Sequence, residues 1–205
     1  FIRTTPAYSV ISAPTCLCFI RQAKRRGLPV TCEVTPHHLI LTDAACLNYD
    51  TATKVNPPLR SSKDVAALRE ALADGTIDAI ATDHAPHASQ QKEVEYDQAA
   101  FGMIGLETAL SLVLKLVQEK ELALKTVLRG LSWGPARVLG LAGGKIEEGV
   151  PADITCIDLE KKWTVEPERL RSKSRNTPFA GWKMTGKAVV TIVSGKILHN
   201  ELNDA

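Results

Sequence analysis

Apolar residues fall into two patterns over the first 143 positions. Val10-Ile11-Ser12 reads as the end of a short strand, and Pro29 to Val34 is a β-branched run that predicts another. Ile77 to Thr82 is almost unbroken in apolar residues, as a strand covered on both faces requires. Helical stripes lie between these runs. Leu17, Ile20 and Ala23 share one face of a helix from Thr15 to Arg26, stopped at Gly27. Ala66, Leu68 and Leu72 stripe a second helix from Ser62 to Ala73, with Ser62 at its start and Gly75 after it. Gly105 to Glu119 predicts an apolar helix whose Leu110–Leu116 stripe is core, and Leu122 to Arg129 and Pro135 to Leu141 predict two more.

The texture changes after Gly143-Gly144. Ala152 to Ile157 reads as a strand, and Ala188 to Val193 and Lys196 to His199 flank Ser194-Gly195 as a hairpin. Residues 1–143 are therefore expected to be an α/β unit, and residues 144–205 a small β unit. Lys161-Lys162 reads as a solvated turn, Trp133, Trp163 and Trp182 as packing residues, and His199 as exposed and without a role.

Composition narrows the function classes. The chain has 205 residues, 44% hydrophobic and 23% charged, which excludes a disordered chain. Its formal net charge of +2 gives no electrostatic reason to expect nucleic acid or an anionic membrane as partner. No apolar run reaches the roughly 18 residues of a membrane span. The five cysteines (Cys16, Cys18, Cys32, Cys46 and Cys156) are odd in number and unpaired in spacing, which predicts free, mostly buried thiols in a cytoplasmic setting. Phe1 to Ile20 is apolar but broken by Pro6 and Pro14, and reads as an internal start rather than a signal peptide.

The densest chemical signal is Ala81-Thr82-Asp83-His84-Ala85-Pro86-His87, directly after a buried strand. In parallel α/β folds the C-terminal ends of strands carry catalytic groups. An ionised Asp there can ligate a cation and move a proton to and from metal-bound water. The competing reading is that Asp83 caps a helix and the histidines bond loop carbonyls. Thr31 to Leu39 places His37 and His38 just past another strand, and Lys54-Val55-Asn56-Pro57-Pro58-Leu59-Arg60 is a proline-stiffened loop that could hold the Asn56 amide against a ligand amide.

These motifs, in this order, resemble the dihydroorotase family of the bacterial type, within the cyclic amidohydrolases. The resemblance rests on "VTCEVTPHHL", "KVNPPLR", "DAIATDHAPH", "FGMIGLETAL" and "NTPFAGWKMTGK", and runs from about Arg21 to the C-terminal end. It implies a (β/α)₈ barrel with a binuclear zinc centre and a small β-sandwich, interconverting dihydroorotate and N-carbamoyl-aspartate in pyrimidine synthesis. By that resemblance Asp83 ligates zinc and shuttles the proton, while Asn56 and His87 bind substrate. Phe101-Gly102 lends its backbone to the ligand, with free N–H groups of the following helix turned toward it. His37 and His38 belong to the signature without a metal role.

The chain also departs from that pattern. A complete barrel takes roughly 250 residues, so only its last three strands and helices, with part of the sandwich, fit here. The chain end is expected to return to the barrel. The family's His-x-His pair, bridging carboxylate and next histidine ligand would lie upstream, and Phe1 to Tyr8 does not read like the family. Spacing puts Val10 where a further zinc histidine belongs, and valine has no lone pair to give. Zinc sites normally need three or four protein ligands, so this chain alone is expected neither to hold zinc tightly nor to turn over substrate. Three strands cannot close a barrel, which predicts an open edge and either self-association or pairing with a missing N-terminal half. Two other functions remain open at this point. One is a non-catalytic scaffold chain, for instance for a carbamoyltransferase, which Val10 favours. The other is a different cyclic amidohydrolase such as an allantoinase, which the Asn56–Arg60 loop and Phe101-Gly102 disfavour.

Overall fold

The computed structural model of the protein describes residues 11–202. The architecture is α/β. Its helices are α1 (Pro14–Arg25), α2 (Pro36–Ile40), α3 (Ser62–Ala73), α4 (Ser89–Lys92), α5 (Ala109–Gln118), α6 (Leu124–Leu128) and α7 (Gly134–Leu139), with a π-helical turn at Arg129–Trp133 between the last two. β1 (Glu33–Val34) pairs in parallel with β2 (Ala79–Ile80). β3 (Ile154–Thr164), β4 (Lys183–Val193) and β5 (Lys196–Asn200) form a separate antiparallel sheet in that order. Val10, expected in place of a zinc histidine, lies outside the described residues; the chain just after it runs beside β1, with Ile11 N–H donating to Glu33 O at 2.9 Å.

Local chemistry sets these bounds. α3 matches its expected range, but its cap is Ser61 rather than Ser62. The Ser61 hydroxyl accepts from Asp64 N–H while the Asp64 carboxylate accepts from Ser61 N–H, a reciprocal capping box. The strand expected over Pro29–Val34 shrinks to two residues because a side chain takes a strand's place. Cys32 N–H donates to the Asp78 carboxylate at 2.9 Å, and Lys24 Nζ holds both oxygens of the same carboxylate at 2.7 Å. That ion pair fastens α1 to the N-terminal ends of both strands, opposite the end from which Asp83 emerges. Of the five free thiols only Cys32 is buried, so the expectation of mostly buried cysteines fails: Cys16 and Cys18 sit on the outer face of α1 and Cys156 on β3.

Two apolar clusters join the parts. Leu17, Val34, Leu68, Ile80, Val113 and Val127 pack α1, α3, α5 and α6 onto the parallel pair. Val55, Leu59, Met103, Leu112, Phe179 and Met184 join the loops beyond the strands to the β unit. Close approaches fix both junctions. A Cβ on Gly186 would stand 2.5 Å from Leu114 Cδ1, and Ser111 Oγ donates to Gly186 O at 2.5 Å. Lys161-Lys162 is no turn but part of β3, whose register shifts where Asp158 accepts from the N–H groups of Glu160 and Lys161. Lys187 and, more weakly, Lys161 bond Glu201, and these bonds pull its carboxyl down to about 2. His199 is half-buried rather than exposed, with its Nε2 3.5 Å from a Glu201 oxygen.

α2 shows how the adjacent histidines divide their work. Thr35 caps the helix, and its hydroxyl donates to His38 Nδ1 at 2.7 Å. The other ring nitrogen of His38 donates to Pro57 O at 2.9 Å, so a neutral imidazole grips the Asn56–Arg60 loop. His37 is buried, and its Nε2 has no hydrogen-bond partner among the described residues. Burial first, and the neighbouring His38 second, push its imidazolium pKa down to about 3.

Two tests follow from this packing. Gly134→Ala would place a Cβ 2.0 Å from Asp78 O, and a denaturant titration should show a loss of roughly 1–3 kcal/mol. His37, protonated more easily in the unfolded chain, gives stability that is full above pH ~6.5 and is lost as pH falls toward ~3. His37→Met should remove most of that acid-side decline while leaving stability at pH 7 within about 1 kcal/mol, since the nitrogen it deletes is unpaired.

Candidate active site

Asp83 emerges three residues beyond β2. Its backbone is left-handed, with φ 48°, a conformation that Asp tolerates better than most residues. The turn throws its side chain outward, where it is exposed and makes no hydrogen bond or ion pair among the described residues. The parallel neighbour β1 carries Glu33, half-buried, whose carboxyl is raised chiefly by burial and then by the charge of Asp83. The two acids therefore feel each other's charge, although Glu33 sits at the start of β1 and Asp83 beyond the end of β2. The sequence reading missed Glu33. Its signal was an acid in the middle of an otherwise apolar and β-branched run.

The loop after Asp83 is stitched to the segment around Phe101. His84 Nδ1 accepts from Gly105 N–H at 3.0 Å and from Leu106 N–H at 3.3 Å, and Ala85 N–H donates to Met103 O at 2.9 Å. His87 Nε2 donates to Phe101 O at 2.8 Å. Gly102 has φ 119°, and a Cβ there would stand 2.4 Å from Ala85 Cβ, so only glycine allows the two loops to touch. Gly102 N–H donates to Lys54 O at 2.8 Å, which brings in the Lys54–Arg60 loop two residues before Asn56. Asn56 is exposed and, like Asp83, makes no side-chain hydrogen bond among the described residues. Its loop is held by His38 on Pro57 O, and Asp83's charge acts on the same His38 ring.

The structure thus gathers His87, Phe101 and Gly102 by direct contact, and reaches Asn56 and Asp83 through the loops that carry them. One expectation changes. The N–H groups of Gly102, Gly105 and Leu106 are donated within the protein, and α5 begins at Ala109 rather than Gly105, so those groups do not face outward to an anion. Gly102 serves here as a point of close packing. The sequence also left Lys92 unread, because Ser89-Gln90-Gln91-Lys92-Glu93 looks like surface. Lys92 is in fact buried, and its Nζ donates to Ala100 O at 2.7 Å and to Gly102 O at 3.0 Å. That burial lowers its ammonium pKa. Lys54 Nζ lies 4.6 Å from the centre of the exposed Phe101 ring.

The described residues do not fit a zinc centre by themselves. No group of three or more His, Cys, Asp or Glu among them could hold a metal ion. The nearby imidazoles are engaged elsewhere: His38 on Thr35 and Pro57, His84 on two backbone N–H groups, and His87 on Phe101 O. Asp83 is the unengaged donor of the loop.

Comparison with known proteins gives this site its context. The amidohydrolase family model matches residues 10–198. The dihydroorotase of Geotalea daltonii is 54% identical over 189 residues, 92% of this chain and 44% of that protein. That of Anaeromyxobacter dehalogenans is 56% identical over 184 residues, 89% of this chain and 42% of that protein. Among solved structures, the L-hydantoinase (dihydropyrimidinase) from Arthrobacter aurescens superposes with a TM-score of 0.89 at 31% identity, covering 94% of this chain and 44% of its own. The dihydropyrimidinase from Brevibacillus agri shares the fold, with a TM-score of 0.88 at 24% identity over 96% of this chain. The chain spans less than half the length of the curated relatives it matches. With the family model covering nearly all of it and relatives above 50% identity along its length, the chain belongs to the amidohydrolase family.

Proposed function

We propose that this chain is the C-terminal part of a dihydroorotase, the enzyme that reversibly hydrolyses the cyclic amide of dihydroorotate to N-carbamoyl-aspartate. The observation that carries the reading is Asp83: a carboxylate in a left-handed turn just past a parallel strand, exposed and unengaged among the described residues. Such a group is free to take a proton from the attacking water and return it to the departing ring nitrogen, as the carbon–oxygen bond forms and the carbon–nitrogen bond breaks. Asn56 offers an amide to the substrate's own amide, and His87 and the Phe101-Gly102 corner line the same mouth. The identity of 50–56% to proteins named dihydroorotase supports the choice among cyclic amides.

In this reading residues 1–143 are the last strands and helices of a (β/α)₈ barrel, and residues 144–205 part of a β-sandwich. The rest of the barrel and the metal donors that accompany Asp83 come from other parts of the protein. Five free thiols suit a cytoplasmic setting. No helix among the described residues is long and apolar enough to cross a membrane.

A hydantoin- or allantoin-opening activity is the second reading, favoured by the L-hydantoinase likeness at 31% identity. Ring-opening assays with the complete protein on dihydroorotate, hydantoin and allantoin separate the two. Dihydroorotate should be opened fastest, and Asp83→Asn should lower that rate about 10³-fold, within the range of a lost acid–base group. The same substitution should leave stability within about 0.5 kcal/mol, as surface changes usually do. Preference for another ring, or near-normal turnover by Asp83→Asn, would overturn the reading.

A further inference from the structure

The segment between Arg171 and Thr177 leads from the β unit into β4 and crosses the loops of the candidate site. It is anchored at its start by Glu107, whose carboxylate accepts from Arg171 N–H at 2.9 Å and Ser172 N–H at 3.1 Å. Ser174 Oγ then donates to His87 O at 2.7 Å. Asn176 makes the densest set of contacts. Its Oδ1 accepts from His87 N–H at 3.3 Å, and its Nδ2 donates to Ala85 O at 2.9 Å and to Gly102 O at 3.2 Å. Its own carbonyl accepts from Ile104 N–H at 3.0 Å. An asparagine side chain has one acceptor and two donors to offer, and here both functions are used on two different loops.

We infer that Asn176 is a positioning residue of the active site, and that the strap carrying it transmits the placement of the β unit to the loops that bear His87 and Phe101-Gly102. The geometry has two sides. From one side the buried Lys92 ammonium holds Gly102 O at 3.0 Å. From the strap, the Asn176 amide holds the same oxygen and the carbonyl of Ala85, next to which a Gly102 Cβ would clash. The loops carry little regular structure of their own: one isolated bridge, His84 with Met103, joins them. Their relative placement therefore depends on side chains that span 74 to 91 positions of sequence. Asn176 acts through His87 and Gly102 rather than on a reacting atom. A displacement of an ångström in such a site can cost about a hundredfold in rate, so a residue of this kind matters without touching substrate. The catalytic consequence rests on the ring-opening reading; the clamp itself rests on the contacts alone.

The test separates the two. Amide hydrogen exchange would be followed in the complete protein for Asn176→Ala, Asn176→Asp and the control Lys173→Ala, an exposed position on the same strap. Asn176→Asp keeps the acceptor for His87 N–H and turns the donor side into an oxygen facing two carbonyls. Exchange at residues 84–88 and 101–105 should quicken at least about tenfold in both Asn176 variants, with α3, α5 and the control unchanged. In parallel, kcat for dihydroorotate should drop about tenfold or more while KM moves little. Unchanged exchange in the loops would overturn the proposal. A uniform quickening that includes α3 and α5 in both variants would overturn it too, by making Asn176 a general stability residue. If the wild-type protein does not open dihydroorotate, the functional reading fails, and the exchange experiment still decides the clamp.

Discussion

The carbonyl oxygen of Gly102 is the point at which the loops of the candidate site are held together. It accepts from a buried ammonium, Lys92, and from the Asn176 amide, while the N–H of the same residue donates to Lys54 O. Three segments far apart in sequence meet on the backbone of one residue. The absence of a side chain at Gly102 lets the Asp83–His87 loop close to contact distance. Buried polar groups tolerate little freedom, because each unmade bond costs about 1–3 kcal/mol. These bonds therefore fix loops that have almost no secondary structure.

The opposite end of the strand pair is built for stability. There Lys24 and Asp78 fasten α1 to the strand starts, and Gly134 lies so close to Asp78 O that any larger residue would push α7 away. The candidate site lies beyond the strand ends and the cross-bracing beneath them, a division that parallel α/β folds use widely. Asp83 lies beyond the end of β2 and Glu33 at the start of β1, and the Glu33 carboxyl is raised by burial first and by the charge of Asp83 second. His37 and His38 stand between the two roles: one is a neutral core residue with an unpaired nitrogen, the other a tie to the Asn56 loop.

Much of this was legible in the sequence where a local rule applies. The α3 range was readable because a hydrophobic stripe, a serine start and a trailing Gly75 agree. Asp83 stood out as a chemically pointed residue directly after an apolar run, and the Asn56 loop because two prolines stiffen it beside an amide. Elements failed where a distant group intervened. The β1 strand lost residues to the Asp78 carboxylate, α5 lost its first turn to the His84 ring, and Lys161-Lys162 became strand through a bulge on Asp158. Lys92 and Asn176 gave no local signal at all. A lysine in a polar tetrapeptide and an asparagine before a proline-containing turn look like surface until the fold brings carbonyls to them.

In the proposed reading, substrate is held beyond the C-terminal end of β2, between Asp83 and the Asn56 loop. The direct measurement is a crystal structure of the complete protein with N-carbamoyl-aspartate bound. The account predicts the ligand within hydrogen-bond distance of the Asp83 carboxylate and of the Asn56 amide, with Gly102 and Asn176 unmoved. A ligand seated elsewhere, for example against the groove between α5 and β3, would contradict it.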